Sequence, residues 1–480
     1  MENQAVNPFL PSYEYIPDGE AYVFNHRVYI FGSHDQFNGK KFCMNDYVTW
    51  SADVNHLSDW KFEGVIYNRF KDPMITEKDQ FVYAPDVQLG LDGRYYLYYF
   101  FGFNSILSVA VCDTPSGEYH FYGYVKYPNG TFLGHESGDP LIFDPGILID
   151  EGRVYLYVGF SPRFITSLAI RNKCKLDGSY VIELEKDMVT VKTSPKLVIP
   201  SIKRSKGTGF EHHEFFEASS IRKYKDMFYF VYSSDHNHEL CYATSRHATG
   251  PFTYGGVLIS NADIGFNNRR EKDALNYHGN NHGGMIQIKD RWYILYHRHT
   301  NGHSYSRQTC AEEIRINQDG SIDQVEMTSC GFNQGPLKGK GIYSSHIACN
   351  LFSKRGAGSY SPLLFYKSYR KHPYFTQTGV DREDNPDQYI ANVKNGTVIG
   401  YKYFLFDHLN KISVQVWGKA KGEFQIYTSL DEPQIGSIPI LLENNQNTFI
   451  SNIKPISGKY PLYFKYVGKG TLNFGSFRLY

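Results

Sequence analysis

The sequence predicts an all-β protein, in which a five-bladed β-propeller is followed by a β-sandwich of the jelly-roll type. Three observations support this prediction: an aromatic strand pattern that occurs five times, a polar residue at an equivalent place before each copy, and a change of pattern after Gly335. Aromatic residues make up 16% of the 480 residues, and such side chains are favoured in β-strands. Apolar residues alternate with period two along much of the chain, as expected for strands.

The repeated pattern is an aromatic-rich run that is entered through a polar turn. Its five copies are RVYIFGS, GRYYLYYFFG, GRVYLYVGFS, DMFYFVYSS and DRWYILYHRH, which begin at Arg27, Gly93, Gly152, Asp226 and Asp290. Their aromatic cores are spaced by roughly 60 to 75 residues, and a regular period in a β-rich chain indicates radial repetition. Five propeller blades fit residues from about 15 to about 330.

A polar residue stands at a similar distance before the aromatic core of each copy. These residues are Asp18, Asp86, Asp144, Glu217 and His282. Equivalent places on successive blades converge on the propeller axis. We therefore expect four carboxylates and one imidazole to surround a central pocket.

The pattern changes after Gly335, where the segment PLKGKGIYSS has the composition of a linker. Short strand patterns at intervals typical of a β-sandwich follow it: VIGYKYFLF, KISVQVWGK, GEFQIYTSL, NTFISNI, YPLYFKYVG and LNFGSFRLY. The sequence thus predicts a propeller domain at residues 1–335 and a sandwich domain at residues 336–480.

Composition argues against several classes of function. The net charge is +1 without a basic cluster, so no nucleic-acid partner is expected. The apolar runs are too short to span a membrane, and the first residues lack the features of a secretory signal. The seven cysteines are scattered and lack CxxC spacing, which is typical of reduced thiols, so we expect a cytoplasmic enzyme. The oligomeric state is not predicted.

Three of the five polar residues have the chemistry of glycoside hydrolysis. This reaction needs one carboxyl group that protonates the leaving oxygen and a second that activates water or attacks the sugar. A nearby third carboxylate helps to keep the acid protonated. Asp18, Asp144 and Glu217 fit these three roles. A single such residue would be interpreted as a turn carboxylate, but three in register with the repeat favour a catalytic site. Glu214 is the alternative to Glu217.

These segments resemble glycoside hydrolase family 43, a clan of five-bladed propellers. The resemblance covers roughly residues 7–335 and is carried by Pro17-Asp18, by Asp144-Pro145 and by Glu217-Ala218-Ser219. It implies that Asp18 is the general base, that Asp144 modulates the pKa of the acid, that Glu217 is the general acid, and that the anomeric configuration is inverted. Because Asp18 is followed by Gly-Glu, Glu20 and Asp35 remain alternatives for the base.

The resemblance implies roles for further residues, each with a structural alternative. Asp86 is expected in the pocket wall or as a strand residue bonded to backbone. His282 resembles the axial histidine of the family, near a central calcium or water cluster. Arg307 is expected at the pocket, or in a salt bridge with Glu312 or Glu313.

Two residues after the first aromatic strand are candidates for sugar contacts. His34 is expected either to bind a sugar hydroxyl, as the resemblance implies, or to be a polar residue at the end of the strand. Trp50 is expected either to stack on a sugar, because the C–H faces of sugars pack on aromatic rings, or to be part of the blade core.

The C-terminal segments resemble family 6 carbohydrate-binding modules. The turn and strand SGKYPLYF and the final LNFGSFRLY carry this resemblance, while the usual opening segment is replaced by IACNLFSKRG. The resemblance implies stacking of sugars on exposed aromatic rings and a structural Ca²⁺. We slightly favour the alternative, a domain that packs against the propeller.

The function expected from the resemblance is that of an inverting exo-glycosidase that acts on oligosaccharides and needs no cofactor for its chemistry. It would release terminal α-L-arabinofuranosyl residues from arabinoxylan-derived oligosaccharides. The alternatives are a β-xylosidase acting on xylo-oligosaccharides and a non-catalytic sugar-binding propeller.

Overall fold

The computed structural model describes residues 4–102, 104–162, 174–359 and 371–480. In these residues the chain forms strands and four short 3-10 helices, at Arg69–Lys71, Phe266–Asn268, Glu271–Asp273 and Ser345–Ile347. No helix in the described ranges is long and apolar enough to cross a membrane. The predicted all-β class and five-bladed propeller are confirmed.

Each blade is an antiparallel sheet whose strands follow one another in chain order. Blade one comprises β1 (Glu20–Phe24), β2 (Arg27–Phe31), β3 (Tyr47–Asp53) and β4 (Lys61–Tyr67). Blade two comprises β5 (Val82–Leu89), β6 (Tyr95–Phe101), β7 (Leu107–Cys112) and β8 (His120–Tyr124). Blade three comprises β9 (Gly146–Asp150), β10 (Arg153–Val158), β11 (Gly178–Leu184) and β12 (Lys196–Pro200). Blade four comprises β13 (Phe215–Tyr224), β14 (Met227–Ser234), β15 (Glu239–Ser245) and β16 (Thr253–Ser260). Blade five comprises β17 (Met285–Ile288), β18 (Arg291–His299) and β19 (Arg307–Ile314).

The five repeated aromatic runs form the second strand of each blade, and these strands are almost fully buried. Their alternating side chains face the two neighbouring blades, because successive residues of a strand point to opposite sides of the sheet. In β6, for example, Tyr98 packs in a cluster with blade three, whereas Tyr99 packs in a cluster with blade one. The hydrophobic core of the propeller is therefore a set of seams between blades.

The ring closes where blade five meets the N-terminal region. Ile16, Val28 and Ile30 share a hydrophobic cluster with Ile286 and Leu295 of blade five. Gly19 and Gly283 form a parallel bridge beside it. Blade one therefore packs directly against blade five, and the closure is noncovalent.

Asn7 binds the outer edge of blade five, which has three strands. Its side-chain carbonyl accepts from the Ala311 N–H at 2.9 Å, and its amide donates to the Ala311 carbonyl at 2.9 Å. The amide also lies 3.1 Å from the Thr328 carbonyl oxygen. One buried side chain thus satisfies edge groups that a fourth strand would otherwise pair.

The C-terminal region forms one curled sheet around a single core. Its strands are β20 (Leu337–Lys338), β21 (Gly341–Ser344), β22 (Asn350–Phe352), β23 (Tyr374–Gln377), β24 (Gln388–Val393), β25 (Val398–Tyr427) and β26 (Gly436–Leu479). The last strand of blade five ends at Ile314 and β20 begins at Leu337, so the division predicted at residue 335 lies between them.

The six short strands predicted for this region are joined into two long ones. β26 runs twice along β25, so that Val414 pairs with both Phe449 and Phe477. The hydrogen-bond ladder continues through bends at residues such as Gly418, whose φ of 130° requires glycine. Sequence patterns show such bends as interruptions, whereas the backbone pairing does not stop there. The resemblance to carbohydrate-binding modules stays a prediction.

The two domains meet along a polar seam. The Lys402 ammonium lies 3.0 Å from Asp263 and 2.9 Å from Glu326, both of which belong to the propeller side. The buried guanidinium of Arg298 donates to the carbonyls of His346 and Ala348. These contacts are charge-assisted and largely buried, so they fix the relative position of the domains more than weak surface pairs would.

Replacing Asn7 tests whether this side chain secures the ring. We expect Asn7→Ala to lower the free energy of unfolding by about 1–3 kcal/mol, because buried edge groups of Ala311 lose their partners. Urea unfolding measured by tryptophan fluorescence gives this value. Gln446→Ala, which removes an exposed amide of β26, should change the free energy by less than about 0.5 kcal/mol. Equal effects of the two substitutions would contradict a role for Asn7 in closure.

Candidate active site

A cavity of about 250 Å³ opens on the propeller axis, and all five blades contribute to its wall. The residues that line it are Asp18, Phe42, Cys43, Tyr83, Ala84, Phe143, Asp144, Phe160, Phe216, Glu217, Asn237, Asn280, His282 and Arg307. All three predicted catalytic carboxylates are among them, as are His282 and Arg307. The volume lies just below the range of about 300–1,000 Å³ typical of sites for drug-sized ligands.

The backbone at the three carboxylates is unusual. Asp18 and Asp144 precede the first strands of their blades and have φ values of 56° and 42°. Glu217 lies in β13 at a break in the strand register and is followed by Ala218 with φ 70°. Non-glycine residues adopt such angles infrequently, and backbone strain of this kind is concentrated at functional sites. The bends turn all three side chains out of the sheet ladders and into the cavity.

Asp18 forms a buried ion pair with Arg307. The Arg307 Nη1 atom donates to Asp18 Oδ1 at 2.9 Å, and Nε and Nη2 donate to the two oxygens of Asp35 at 2.9 and 3.0 Å. Although burial alone disfavours a charged guanidinium, these carboxylates raise the pKa of Arg307 above its usual value. The result is a permanent cation held between two blade-one carboxylates.

Glu217 has the properties of a proton donor. Burial, followed by the negative charge of Asp18, raises the pKa of Glu217 to about 8. The Arg307 charge and a hydrogen bond from Asn280 Nδ2 to Oε1, at 3.1 Å, oppose this rise. Glu217 therefore keeps its proton at neutral pH, as a general acid must.

Asp144 contacts the segment that carries Glu217. Its Oδ2 atom accepts from the Ala218 N–H at 3.0 Å, in the residue next to Glu217. Burial and the charges of Glu217 and Asp18 raise the pKa of Asp144 well above its usual value. The protonation of Asp144 therefore depends on the charge of its neighbour Glu217.

His282 lies beneath this set, with Nδ1 3.5 Å from Asp144 Oδ2 and 4.0 Å from Asp18 Oδ1. Burial lowers the pKa of His282, so the ring is neutral at neutral pH. A neutral imidazole at these distances adds no second positive charge beside the carboxylates.

Three residues that were predicted as sugar contacts or as part of the pocket wall, His34, Trp50 and Asp86, lie outside the cavity wall. His34 Nε2 is 3.0 Å from Glu14 Oε1, and the indole Nε1 of Trp50 donates to Glu14 Oε2 at 2.7 Å. Trp50 belongs to the core between blades five and one, which was the alternative for it. Asp86 accepts from the Tyr22 hydroxyl at 2.6 Å and from the Ile147 N–H at 2.8 Å, between blades. Of the two roles considered for Asp86, in the pocket wall or as a strand residue bonded to backbone, the contacts agree with the second.

The rival candidates also have other partners. Glu214 accepts from Ser205, and Glu20 pairs with Arg222. Asp35 binds Arg307 rather than lining the cavity. Neither Glu312 nor Glu313 pairs with Arg307 in the described contacts: Glu312 accepts from Tyr296, and Glu313 pairs with Arg291.

Sequence analysis did not identify the aromatic wall of the cavity. The rings of Phe143 and Phe160 stack with centroids 4.2 Å apart, and Phe160 is 5.3 Å from Phe216. Tyr83 and Phe42 line other parts of the wall. Such rings suit the apolar faces of a sugar. Phe143 and Phe216 each precede a predicted catalytic carboxylate by one residue, a signal that could have identified them.

Asn280 was also missed, although it stands two residues before His282. Its amide donates to Glu217 and its carbonyl oxygen accepts from Arg307 Nη1 at 2.8 Å. Asn280 therefore links Glu217 to the guanidinium that binds Asp18.

Two groups of described residues carry side chains of the types that bind metal ions. His213, Glu239 and Cys241 lie in blade four, where the histidine ring and the thiol both contact one Glu239 oxygen, at 2.7 and 3.5 Å. Near the axis, Glu20 Oε1 and Ser220 Oγ are buried without a hydrogen-bond partner. Two oxygens fall short of the six to eight that Ca²⁺ takes, so the protein alone does not supply a calcium site there. The predicted calcium stays a prediction.

Comparisons with known proteins agree with this geometry. The sequence matches the family model of glycosyl hydrolases family 43 over residues 7–322. A protein of Thermoclostridium stercorarium named "Xylosidase/arabinosidase" is 48% identical over 480 residues, which cover 100% of this chain and 99% of that protein. A "Xylosidase/arabinosidase" of Bacteroides ovatus is 28% identical over 338 residues, covering 65% of this chain and 95% of that protein.

Solved structures show the same fold. A glycoside hydrolase family 43 arabinoxylan arabinofuranohydrolase from Bacillus subtilis, in complex with cellotetraose, aligns with a TM-score of 0.51 at 20% identity. The alignment covers 98% of this chain and 97% of that chain. The match over residues 7–322, together with the 48% identity along the full chain, establishes that this protein belongs to glycoside hydrolase family 43.

Proposed function

We propose that this enzyme is an inverting exo-glycosidase that releases terminal α-L-arabinofuranosyl residues from arabinoxylan-derived oligosaccharides. The observation that carries the proposal is the pairing, in one small cavity, of a protonated acid with an ion-paired carboxylate. Glu217 holds its proton at neutral pH, and Asp18 is bound to Arg307. A cavity of about 250 Å³ with aromatic walls suits a single terminal sugar better than an extended chain.

The reaction follows from these positions. Glu217 donates its proton to the glycosidic oxygen as the bond from that oxygen to the anomeric carbon breaks. Water attacks the anomeric carbon from the opposite face, and Asp18 accepts the proton that the water loses. Asp144 accepts a hydrogen bond from the backbone N–H of Ala218 and so holds the segment that carries the acid. The chemistry requires no cofactor.

A second candidate activity is that of a β-xylosidase acting on xylo-oligosaccharides. The two relatives described above carry the name "Xylosidase/arabinosidase", which favours a site that accepts both pentoses. Selection between these sugars depends on the shape of the cavity, because the same acid and base serve both reactions.

Aryl glycosides decide between the two sugars. We expect kcat/KM to be higher for an aryl α-L-arabinofuranoside than for the matching aryl β-D-xyloside, and arabinoxylan oligosaccharides to yield free arabinose as the first product. Initial rates and product chromatography measure both. A preference of tenfold or more for the xyloside would reverse the order of the two activities.

Glu217→Gln removes the acid while preserving the size of the side chain. We expect kcat on a natural oligosaccharide to fall at least about 100-fold, because the leaving oxygen is no longer protonated. The loss should be much smaller for an aryl glycoside with an acidic phenol, which departs without a proton. Glu214→Gln, three residues away and outside the cavity wall, serves as the control and should retain activity. A folded Glu217→Gln enzyme that hydrolyses both substrates at the wild-type rate would show that Glu217 is not the general acid.

The pH profile reports the protonation of the acid. We expect kcat/KM of the wild-type enzyme to fall as the pH rises through about 8, because Glu217 then loses its proton. Asn280→Ala removes a hydrogen bond that stabilises the charged carboxylate, so the alkaline limb should move to higher pH. A limb that moves to lower pH in the variant would contradict the assignment of Glu217 as the group that titrates.

A further inference from the structure

We propose that the C-terminal domain positions the general base, through Asp381 and Arg382, which bind the propeller loop at residues 34–45. This inference rests on the proposed function, because it assigns positioning residues to the same reaction. Neither residue lines the cavity. Their effect passes through a chain of direct contacts from the C-terminal domain to Asp18.

The first contact is a buried ion pair between the domains. Arg382 Nη1 lies 2.7 Å from both carboxylate oxygens of Glu14, whose side chain is fully buried. His34 and Trp50 also bind Glu14. Although burial raises the pKa of a carboxyl group, His34 and Arg382 lower that of Glu14 to about 2. Glu14 is therefore a buried anion that needs the cation supplied by the C-terminal domain.

The second contact holds the loop itself. Asp381 Oδ1 accepts from the Phe37 N–H at 2.6 Å, and Oδ2 accepts from Asn45 Nδ2 at 3.0 Å. Asn45 in turn donates its backbone N–H to the His34 carbonyl and its side chain to the Asp35 carbonyl. One carboxylate of the C-terminal domain thus fastens both ends of the loop.

The loop carries the partner of the catalytic cation. Asp35 accepts two hydrogen bonds from the Arg307 guanidinium and a third from its backbone N–H, and Arg307 binds Asp18. Asp35 Oδ1 also accepts from the Cys43 N–H at 2.9 Å. Phe42 lies on the same loop, in the cavity wall, and its ring centroid is 4.7 Å from the Arg307 guanidinium. A shift of this loop moves Asp35, and with it the guanidinium that holds the base.

Another contact between the domains provides a matched control. Lys402 of the C-terminal domain pairs with Asp263 and Glu326, and none of these three residues lines the cavity. Like Arg382, Lys402 is a cation of the C-terminal domain that neutralises a buried carboxylate of the propeller. Loss of Lys402 therefore weakens the domain interface without touching the loop at residues 34–45.

The experiment compares Arg382→Met, Asp381→Asn, Arg382→Lys and Lys402→Met in the full-length protein. We expect Arg382→Met and Asp381→Asn to lower kcat on an aryl pentoside by ten- to 100-fold, with KM within about threefold, because small displacements of catalytic groups have effects of this size. Arg382→Lys should restore part of the lost kcat. Lys402→Met should lower thermal stability while kcat stays within about twofold of the wild-type value.

Amide hydrogen exchange gives a second measurement that is independent of substrate. Exchange in residues 34–45 should become at least tenfold faster in Arg382→Met and unchanged in Lys402→Met. The inference is overturned if Arg382→Met keeps both its kcat and its slow exchange, or if Lys402→Met loses as much activity as Arg382→Met. If the wild-type enzyme cleaves neither pentoside, the proposed function fails, and exchange in the loop still decides whether the C-terminal domain holds it.

Discussion

The buried guanidinium of Arg307 is the interaction on which the site depends. It comes from the last strand of blade five and binds two carboxylates, Asp18 and Asp35, that come from blade one. A guanidinium is always charged and its planar fork matches a carboxylate, so both partners are held at defined distances. The same cation contacts Asn280, which donates to Glu217. The contacts of Arg307 that join blade five to blade one therefore also hold Asp18 in the cavity.

The chemistry divides the carboxyl groups by environment rather than by residue type. Among the residues that the structure describes, no cation forms an ion pair with Glu217, and burial favours its protonated form. Asp18 lies in the same cavity but accepts a hydrogen bond from the guanidinium. In the proposed reaction these two carboxyl groups therefore take opposite roles, as acid and base.

The sequence predicted the propeller and the group of carboxylates around its cavity because both follow from a repeated strand. Asp18, Asp144 and His282 stand two or three residues before the first strand of their blades, where the chain enters at the axis. Asp86 has the same distance to its aromatic strand but lies inside β5, so its side chain is directed between blades. Sequence spacing identifies the repeat but does not show which of these side chains reaches the cavity, because Glu217 also lies inside a strand and yet lines the cavity wall.

Other parts of the site could not be predicted from local sequence. His34 and Trp50 have the residue types of sugar-binding positions, yet both bind Glu14, and Glu14 binds Arg382 from the other domain. Contacts between segments so distant in the chain leave no periodic pattern. For the same reason, the sequence predicted a separate sandwich domain but did not show that its residues contact the loop at residues 34–45.

The order of residues in this network has a consequence for synthesis. Asp18 lies near the start of the chain and binds Arg307 of blade five, while Glu14 binds Arg382 of the C-terminal domain. A ribosome must therefore release most of the polypeptide before all of these groups can meet. A nascent chain that ends before Arg307 lacks the partner of Asp18, so this ion pair forms only after the fifth blade has been synthesised.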